Sequence, residues 1–329
     1  MIDIELLRGV RTVYCHGHCP DGLASAMVLQ EAFRQLGMTP PIRFLDHGTE
    51  EHKKAGTEGP TLFCDITPWR ETAVGGRLHP QTIVLDHHAG AEDIVRLFGD
   101  RGVFADAVKE PGVSGTVLAF REVWLSVFGE RGDAPGHTAA VRYFAECIGA
   151  RDTWQTKSPK FETGQWMTRT LMSKPASHWL EEGRSACLEH AEVQGGRLLH
   201  EQHLGVVQQA LEQVIPLMVE GVRLYVFQEQ AQGFKLTSDV AEALRSKRPG
   251  VMGVVVGFAW QVDADGIPKL VYSLRGLGGF DVCAFAKANG GGGHKAAAGF
   301  SFAANGEMWH DPYKIVSSRL AEHLAGHGP

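Results

Sequence analysis

The stretch Thr82-Ile83-Val84-Leu85-Asp86-His87-His88 decides how this chain is read. Its apolar part is short, β-branched and bounded by Pro80 and Gly90, which predicts a buried strand. Open α/β sheets bind their ligands beyond the carboxyl ends of their strands. Here that end carries a carboxylate and two imidazoles, a donor set that suits manganese, iron or zinc. Taken alone, the tripeptide reads more simply as a polar strand end in water. The neighbouring motifs decide against that.

Working outward, residues 10–15, 42–45 and 61–64 also read as strands, and residues 23–36, 114–128 and 138–148 as helices. The alternation predicts an α/β protein whose N-terminal domain, residues 1–185, is a mostly parallel sheet flanked by helices. Residues 186–215 have few strand formers and read as a connecting helical segment. Strand-like runs at 222–227, 251–258 and 269–274 follow, with helices at 240–246, capped by Ser238 or Asp239, and at 282–288. They predict a smaller C-terminal α/β domain for substrate binding over residues 216–329.

The chain has 329 residues, too many for one ordinary core, and its apolar fraction of 43% is that of a soluble protein. No apolar run is long enough to span a bilayer, and Met1-Ile2-Asp3-Ile4-Glu5 lacks the basic start of a signal peptide. The six cysteines contain no C-x-x-C pair and read as reduced thiols, which predicts a cytoplasmic protein. The net charge of −6 argues against a partner such as long duplex nucleic acid, and no membrane partner is expected. A short phosphorylated substrate is compatible with it, because bound cations can dominate the local field. A homodimer is equally compatible.

Three further segments deliver His or Asp to predicted loop positions: Cys15-His16-Gly17-His18-Cys19-Pro20-Asp21-Gly22, Phe63-Cys64-Asp65 and Gly149-Ala150-Arg151-Asp152-Thr153. Each member has a plainer reading by itself. His16 or His18 is a satisfied loop histidine, Asp65 caps a helix beginning near Pro68, Asp152 ends a helix, and Cys19 and Cys64 are packed thiols. Together they offer the donors for two divalent cations sharing a carboxylate, which sit roughly 3.5–4 Å apart in such centres.

A second signal is Gly290-Gly291-Gly292-Gly293-His294-Lys295-Ala296-Ala297-Ala298-Gly299. Successive glycines let backbone N–H groups converge on an anion, and His294 and Lys295 add side-chain donors. The alanines permit close approach or the start of a helix. A flexible linker is the plainer reading, but a linker needs neither the His-Lys pair nor the apolar residues beside it.

These motifs resemble those of the DHH phosphoesterase superfamily, which includes RecJ-like exonucleases, nanoRNases, cyclic-dinucleotide phosphodiesterases and family II pyrophosphatases. The resemblance covers nearly the whole chain. It runs from His16 to Gly22, then through Asp65, Asp86-His87-His88 and Asp152 to the glycine segment, which is similar to that of the DHH-associated C-terminal domain. It implies two divalent cations, manganese first among candidates. Asp65 bridges them, His16 belongs to the first, and Asp21, His87 and Asp152 hold the second. It further implies that His88 faces the substrate phosphate, with Asp86 orienting a histidine. Gly291, Gly292, Gly293 and His294 grip phosphate, and Arg275 of Ser273-Leu274-Arg275 reaches the substrate. A surface Arg on an edge strand is the plainer reading of Arg275.

One departure stands out. Cys19 occupies a place where another Asp is common, so the first cation is expected to be held weakly, with His18 and Cys19 as further candidate ligands. Cys19 packing as a small buried hydrophobe is the simpler expectation.

The expected activity is metal-dependent hydrolysis of phosphodiester or phosphomonoester bonds in short oligonucleotides, dinucleotides or nucleotide bisphosphates, in a cleft between the two domains. An inorganic polyphosphatase uses the same donors. A non-catalytic nucleotide sensor is the third reading, resting on the altered first motif.

Overall fold

The computed structural model describes residues 1–129, 135–229, 236–262, 266–303 and 311–327. The chain divides into two compact units, Met1–Glu201 and Gln202–Pro329. The division falls inside the helix His190–Gln213.

In the first unit, strands β1 (Thr12–His16), β2 (Ile42–Leu45), β3 (Thr61–Cys64), β4 (Ile83–Asp86) and β5 (Gly102–Phe104) form one sheet in the order β2-β1-β3-β4-β5. Every pair is parallel. Side chains on a strand alternate between the two faces of its sheet, and both faces here are covered. Val13, Cys15, Leu62, Cys64, Ile83 and Leu85 pack with the helix Pro20–Gln35 on one side. Tyr14, Phe63 and Val84 pack with Ile94, Val95 and Phe98 on the other. That double burial is why these strands read as continuous apolar runs. The strand order reverses between β1 and β3, and doubly wound sheets bind their ligands at such a switch point.

The second unit holds β6 (Ile215–Val219), β7 (Val222–Gln228), β8 (Gly253–Val262), β9 (Pro268–Leu277), β10 (Gly292–His294) and β11 (Ala297–Ala303), in the order β10-β11-β9-β8-β7-β6. Only β7 and β8 pair in parallel. Helices Val282–Ala288 and Pro312–His327 cover one face and Thr237–Lys247 the other. No helix among the described residues is long and apolar enough to cross a membrane.

Several sequence expectations are corrected. The alanines after His294 open β11 and not a helix: they pair with β9 from Ala297 onward, and that ladder overrides alanine's helix propensity. Residues 114–128 are helical but broken, with a wide π-type turn over Ala119–Trp124 between two short α-segments. Ser238 and Asp239 do not cap the helix Thr237–Lys247 but lie within its first turn. Arg275 is not on an edge, since β9 lies between β11 and β8. Asp65 caps no helix: the next one, Arg70–Val74, starts after Trp69.

Candidate metal centre

The carboxyl ends of β1, β3 and β4 bring the site together. β1 ends in His16, and the helix Pro20–Gln35 begins four residues later, with Cys19 as its N-cap residue and Pro20 in its first turn. Proline suits that place because its missing N–H would have no helical partner. The helix start presses on the strand it follows. A Cβ on Gly22 would lie 2.2 Å from the His16 carbonyl oxygen, so only glycine fits. β3 delivers Asp65 in the left-handed region, at φ +64°. Asp tolerates that conformation better than most residues, and such backbone strain clusters at functional sites. β4 delivers Asp86-His87-His88, and the helix Pro135–Asp152 ends in Asp152.

Asp65 is the centre of the arrangement and is only 1% exposed. Its Oδ1 lies 3.1 Å from His87 Nε2, while its Oδ2 lies 3.7 Å from His16 Nδ1. His87 Nε2 is also 3.5 Å from Asp152 Oδ2 and 3.6 Å from Asp21 Oδ2. Three sets of donor atoms each gather within 4.8 Å: His16 with Cys19 and Asp65, Asp65 with His87 and His88, and Asp21 with His87 and Asp152. Asp65 Oδ2 and His16 Nδ1 are buried without a hydrogen-bond partner. A buried, unsatisfied polar atom costs about 1–3 kcal/mol and more when charged. A divalent cation held by these two residues would satisfy them, so the residues fit the metal that the motif pattern implies.

The surroundings fix the donors. Asp21 is fully buried, and its Oδ1 accepts hydrogen bonds from Ser114 Oγ (2.7 Å), Thr116 N (3.0 Å) and Thr116 Oγ1 (2.6 Å). Its Oδ2 accepts one from Gly115 N at 2.7 Å. Asp86 Oδ1 accepts from His88 N (2.9 Å) and pairs with His88 Nδ1 (2.8 Å), which turns His88 Nε2 to the other side of the ring. Burial, and then the charges of Asp65 and Asp152, push the Asp21 carboxyl up to about 8. Burial opposes protonation of His87, but the Asp65 hydrogen bond and the neighbouring carboxylates outweigh it and push the imidazole up to about 10. His88 is pushed up to about 9, burial again opposing and Asp86 prevailing. Burial also works against the Asp65 carboxylate, yet the neighbouring His16 imidazole and the hydrogen-bonded His87 hold it well below the usual range.

No family model and no curated protein sequence matches the chain; its likeness to solved structures extends over almost its whole length. The pGpG-specific phosphodiesterase PggH of Vibrio cholerae is 15% identical, with a TM-score of 0.54 over 96% of this chain and 99% of that one. An exopolyphosphatase-related protein of Bacteroides fragilis is 12% identical, with a TM-score of 0.53 over 99% of this chain and 95% of the other. RecJ of Thermus thermophilus, solved with Mn2+, is 14% identical, with a TM-score of 0.55 over 98% of this chain and 53% of RecJ. The chain shares the DHH fold with these proteins. The chain spans about half the length of RecJ.

Within the DHH fold, the structure brings together His16, Cys19, Asp21, Asp65, His87, His88 and Asp152, with Asp86 behind His88. It does not bring His18 to them. That side chain is 89% exposed and pairs with Asp46 at 3.1 Å. In the second unit, Gly292 pairs with Gly299, Gly293 with Ala298 and His294 with Ala297, and Ala297 pairs on its other side with Arg275. The glycine segment is thus an edge hairpin and not an open loop. Four of its glycines, Gly290, Gly291, Gly293 and Gly299, have structural reasons. A Cβ on Gly291 would lie 2.1 Å from the Gly299 carbonyl oxygen, and Gly293 has φ +139° and would meet Ala298 Cα at 2.5 Å. A Cβ on Gly292 would meet nothing within 4 Å. Arg275 Nε donates to Ser238 Oγ at 3.0 Å.

Sequence reasoning missed two groups in this cluster. Ser114-Gly115-Thr116 wraps Asp21, and nothing local in those residues announces it. His47 stands beside the centre, its ring centroid 5.0 Å from that of His16 and 6.5 Å from that of His88. The strand-end argument applied to β2, which ends at Leu45, points to Asp46-His47 as well.

The electrostatics set a pH test. A group whose folded pKa is raised stabilises the fold fully below its unfolded value and loses that contribution as pH rises through the folded value. For His88 that window runs from about 6.5 to about 9, and His87 and Asp21 shift in the same direction. Cation binding at His87 needs a deprotonated nitrogen and therefore strengthens as pH rises. The melting temperatures of manganese-loaded and chelated protein should accordingly diverge between about pH 6.5 and pH 9. Thermal unfolding across that range checks it, and a constant gap contradicts the placement of the cation beside His87.

Proposed function

We propose that this chain is a metal-dependent phosphoesterase acting on short nucleotides, with linear or cyclic dinucleotides and nucleotide bisphosphates as its substrate class. The observation that carries the reading is the gathering of carboxylate oxygens from Asp21, Asp65 and Asp152 within 3.6 Å of His87 Nε2, with His16 Nδ1 beside the other oxygen of Asp65. The second donor set, made of nitrogen and oxygen only, suits manganese. The small-substrate class is supported by the net charge of −6 and by a neighbour of matching length that acts on a dinucleotide.

Bound divalent cations supply Lewis acidity, making hydroxide available near neutral pH and neutralising charge on the phosphoryl oxygens. The protein's own part is to position and to move protons. His88 is oriented through Nδ1 by Asp86 and holds a proton that its Nε2 can give to the leaving oxygen. The imidazolium also stabilises charge building on the phosphoryl group. Asp21 is kept rigid by four donors, and this holds the second cation's ligands in register. In the second unit, the N–H groups of the β10 edge and His294 bind substrate phosphate, with Arg275 as a planar fork for a second anionic group.

Full-length protein with manganese should hydrolyse diadenylates and pGpG-type dinucleotides in a panel read by chromatography. Turnover of polyphosphate alone would favour a small-phosphate hydrolase. Binding of nucleotides without turnover, with cations bound, would make the chain a sensor. His294→Ala should lower turnover about 100-fold, the scale of losing one positioned donor to a developing anion, with bound metal unchanged. Gly292→Val should do the same without destabilising the protein, since a Cβ there meets nothing within 4 Å. Unchanged kcat and KM in both variants would remove the hairpin from substrate binding.

A further inference from the structure

The two halves of the centre differ in kind. Around His87 the donors are imidazole and carboxylate: Asp21, His87, Asp152 and Asp65 Oδ1. On the far side of Asp65 one of the three donors is sulfur, the Sγ of Cys19, within 4.8 Å of the donor atoms of His16 and Asp65. Cys19 sits at the N-cap of the helix Pro20–Gln35, yet its side chain makes no capping bond. The two other residues of the set each hold an unpartnered buried atom. Asp65 Oδ2 belongs to a side chain 99% out of solvent, and it stands with His16 Nδ1 at 3.7 Å, beyond hydrogen-bond reach. The buried thiol of Cys64 behaves differently. It donates to the Gly115 carbonyl oxygen at 3.4 Å and belongs to none of the donor sets.

We propose that Cys19 is a thiolate ligand of the first cation, together with His16 and Asp65, and that this half of the centre selects zinc, iron(II) or cobalt(II) over manganese and magnesium. Thiolate is a soft donor, and hard cations that prefer oxygen bind it poorly. A cation at this place deprotonates a coordinating thiol outright. Three protein donors also match the number used by catalytic zinc sites, which leave a position for water or substrate. The centre is then a mixed one, with a soft half at Cys19 and a harder half at His87. This rests on the reading of the centre as a cation site, and it deepens that reading by assigning the metal class.

The test reads the metal and not the turnover. Chelated full-length protein is titrated with cobalt(II) and followed by absorption. A near-ultraviolet thiolate-to-cobalt charge-transfer band should grow to saturation in the wild type and be absent in Cys19→Ser. Zinc-loaded protein should show one sulfur neighbour at about 2.3 Å by X-ray absorption. Cys19→Asp, a second variant that supplies a hard donor from the same place, should shift the zinc-to-manganese preference toward manganese by about 10-fold or more in competition. Circular dichroism of both variants guards against misfolding.

Cobalt binding without the band, or a band that survives Cys19→Ser, overturns the proposal while leaving the phosphoesterase reading intact. A full band in a protein that turns over none of the nucleotide panel does the reverse. Absence of any cobalt binding overturns both.

Discussion

Asp65→Asn should lower phosphoester hydrolysis by at least about 10³-fold, the upper scale of removing one preorganised electrostatic element, and should weaken both cations together. The double effect follows from the geometry. Oδ1 serves the His87 side at 3.1 Å and Oδ2 the His16 side at 3.7 Å, so one neutralised carboxylate takes charge from both halves. The fold should survive. Asn has the shape of Asp and, like Asp, tolerates the left-handed backbone that residue 65 adopts at φ +64°. Replacing it with a β-branched residue would confound the result with backbone strain. Metal content by elemental analysis, set beside kinetics and circular dichroism, decides. Near-normal turnover with two cations per chain would show that Asp65 does not bridge them. By contrast His87→Ala should empty the second half alone, and His88→Ala should cost turnover with little loss of metal, since His88 is oriented through Asp86.

How much of this was legible beforehand depends on where each contact is encoded. The strand at 61–64 matches β3 residue for residue, because a strand buried on both faces writes itself as an apolar run with sharp ends. The positions of the candidate donors were legible for a related reason. Residues just past the carboxyl end of a parallel strand share one edge of the sheet whatever their distance in sequence. Reading that edge from β1, β3 and β4 found His16, Asp65 and His87, and the same logic on β2 would have found His47. The glycine hairpin was only half legible. Its glycines marked a close backbone turn, but the alanines gave no sign of the β9 ladder that makes them a strand. His18 was misplaced because spacing cannot say which way a side chain leaves a tight turn. Here the backbone at φ +50° sends it to Asp46 at the surface. The support of Asp21 was illegible in principle. Ser114, Gly115 and Thr116 lie more than 90 positions away, and they matter only through the packing of a short helix start on a buried carboxylate.

That hidden support yields the second large effect. Gly115→Ala should cost about 1–3 kcal/mol of stability, the range for inserting a methyl into a filled core, and should lower metal affinity about 10- to 100-fold, the scale for disturbing the groups behind metal ligands. A Cβ on Gly115 would lie 2.4 Å from Asp65 Cβ and 3.0 Å from Asp21 Oδ2. Neither neighbour can yield cheaply. Asp65 is held between His16 and His87, and Asp21 by four hydrogen bonds, one of them from the Gly115 N–H itself. Any retreat of the Gly115 backbone lengthens that bond, and any retreat of Asp65 opens the space between the two donor sets. The substitution therefore reaches the metal without removing a donor. Gly292→Ala is the matched control, because a Cβ there meets nothing within 4 Å. Denaturant unfolding and cation titration of the two variants side by side give the answer. If Gly115→Ala binds manganese as tightly as the wild type, the packing of that helix start on Asp21 and Asp65 is not what holds the centre in shape.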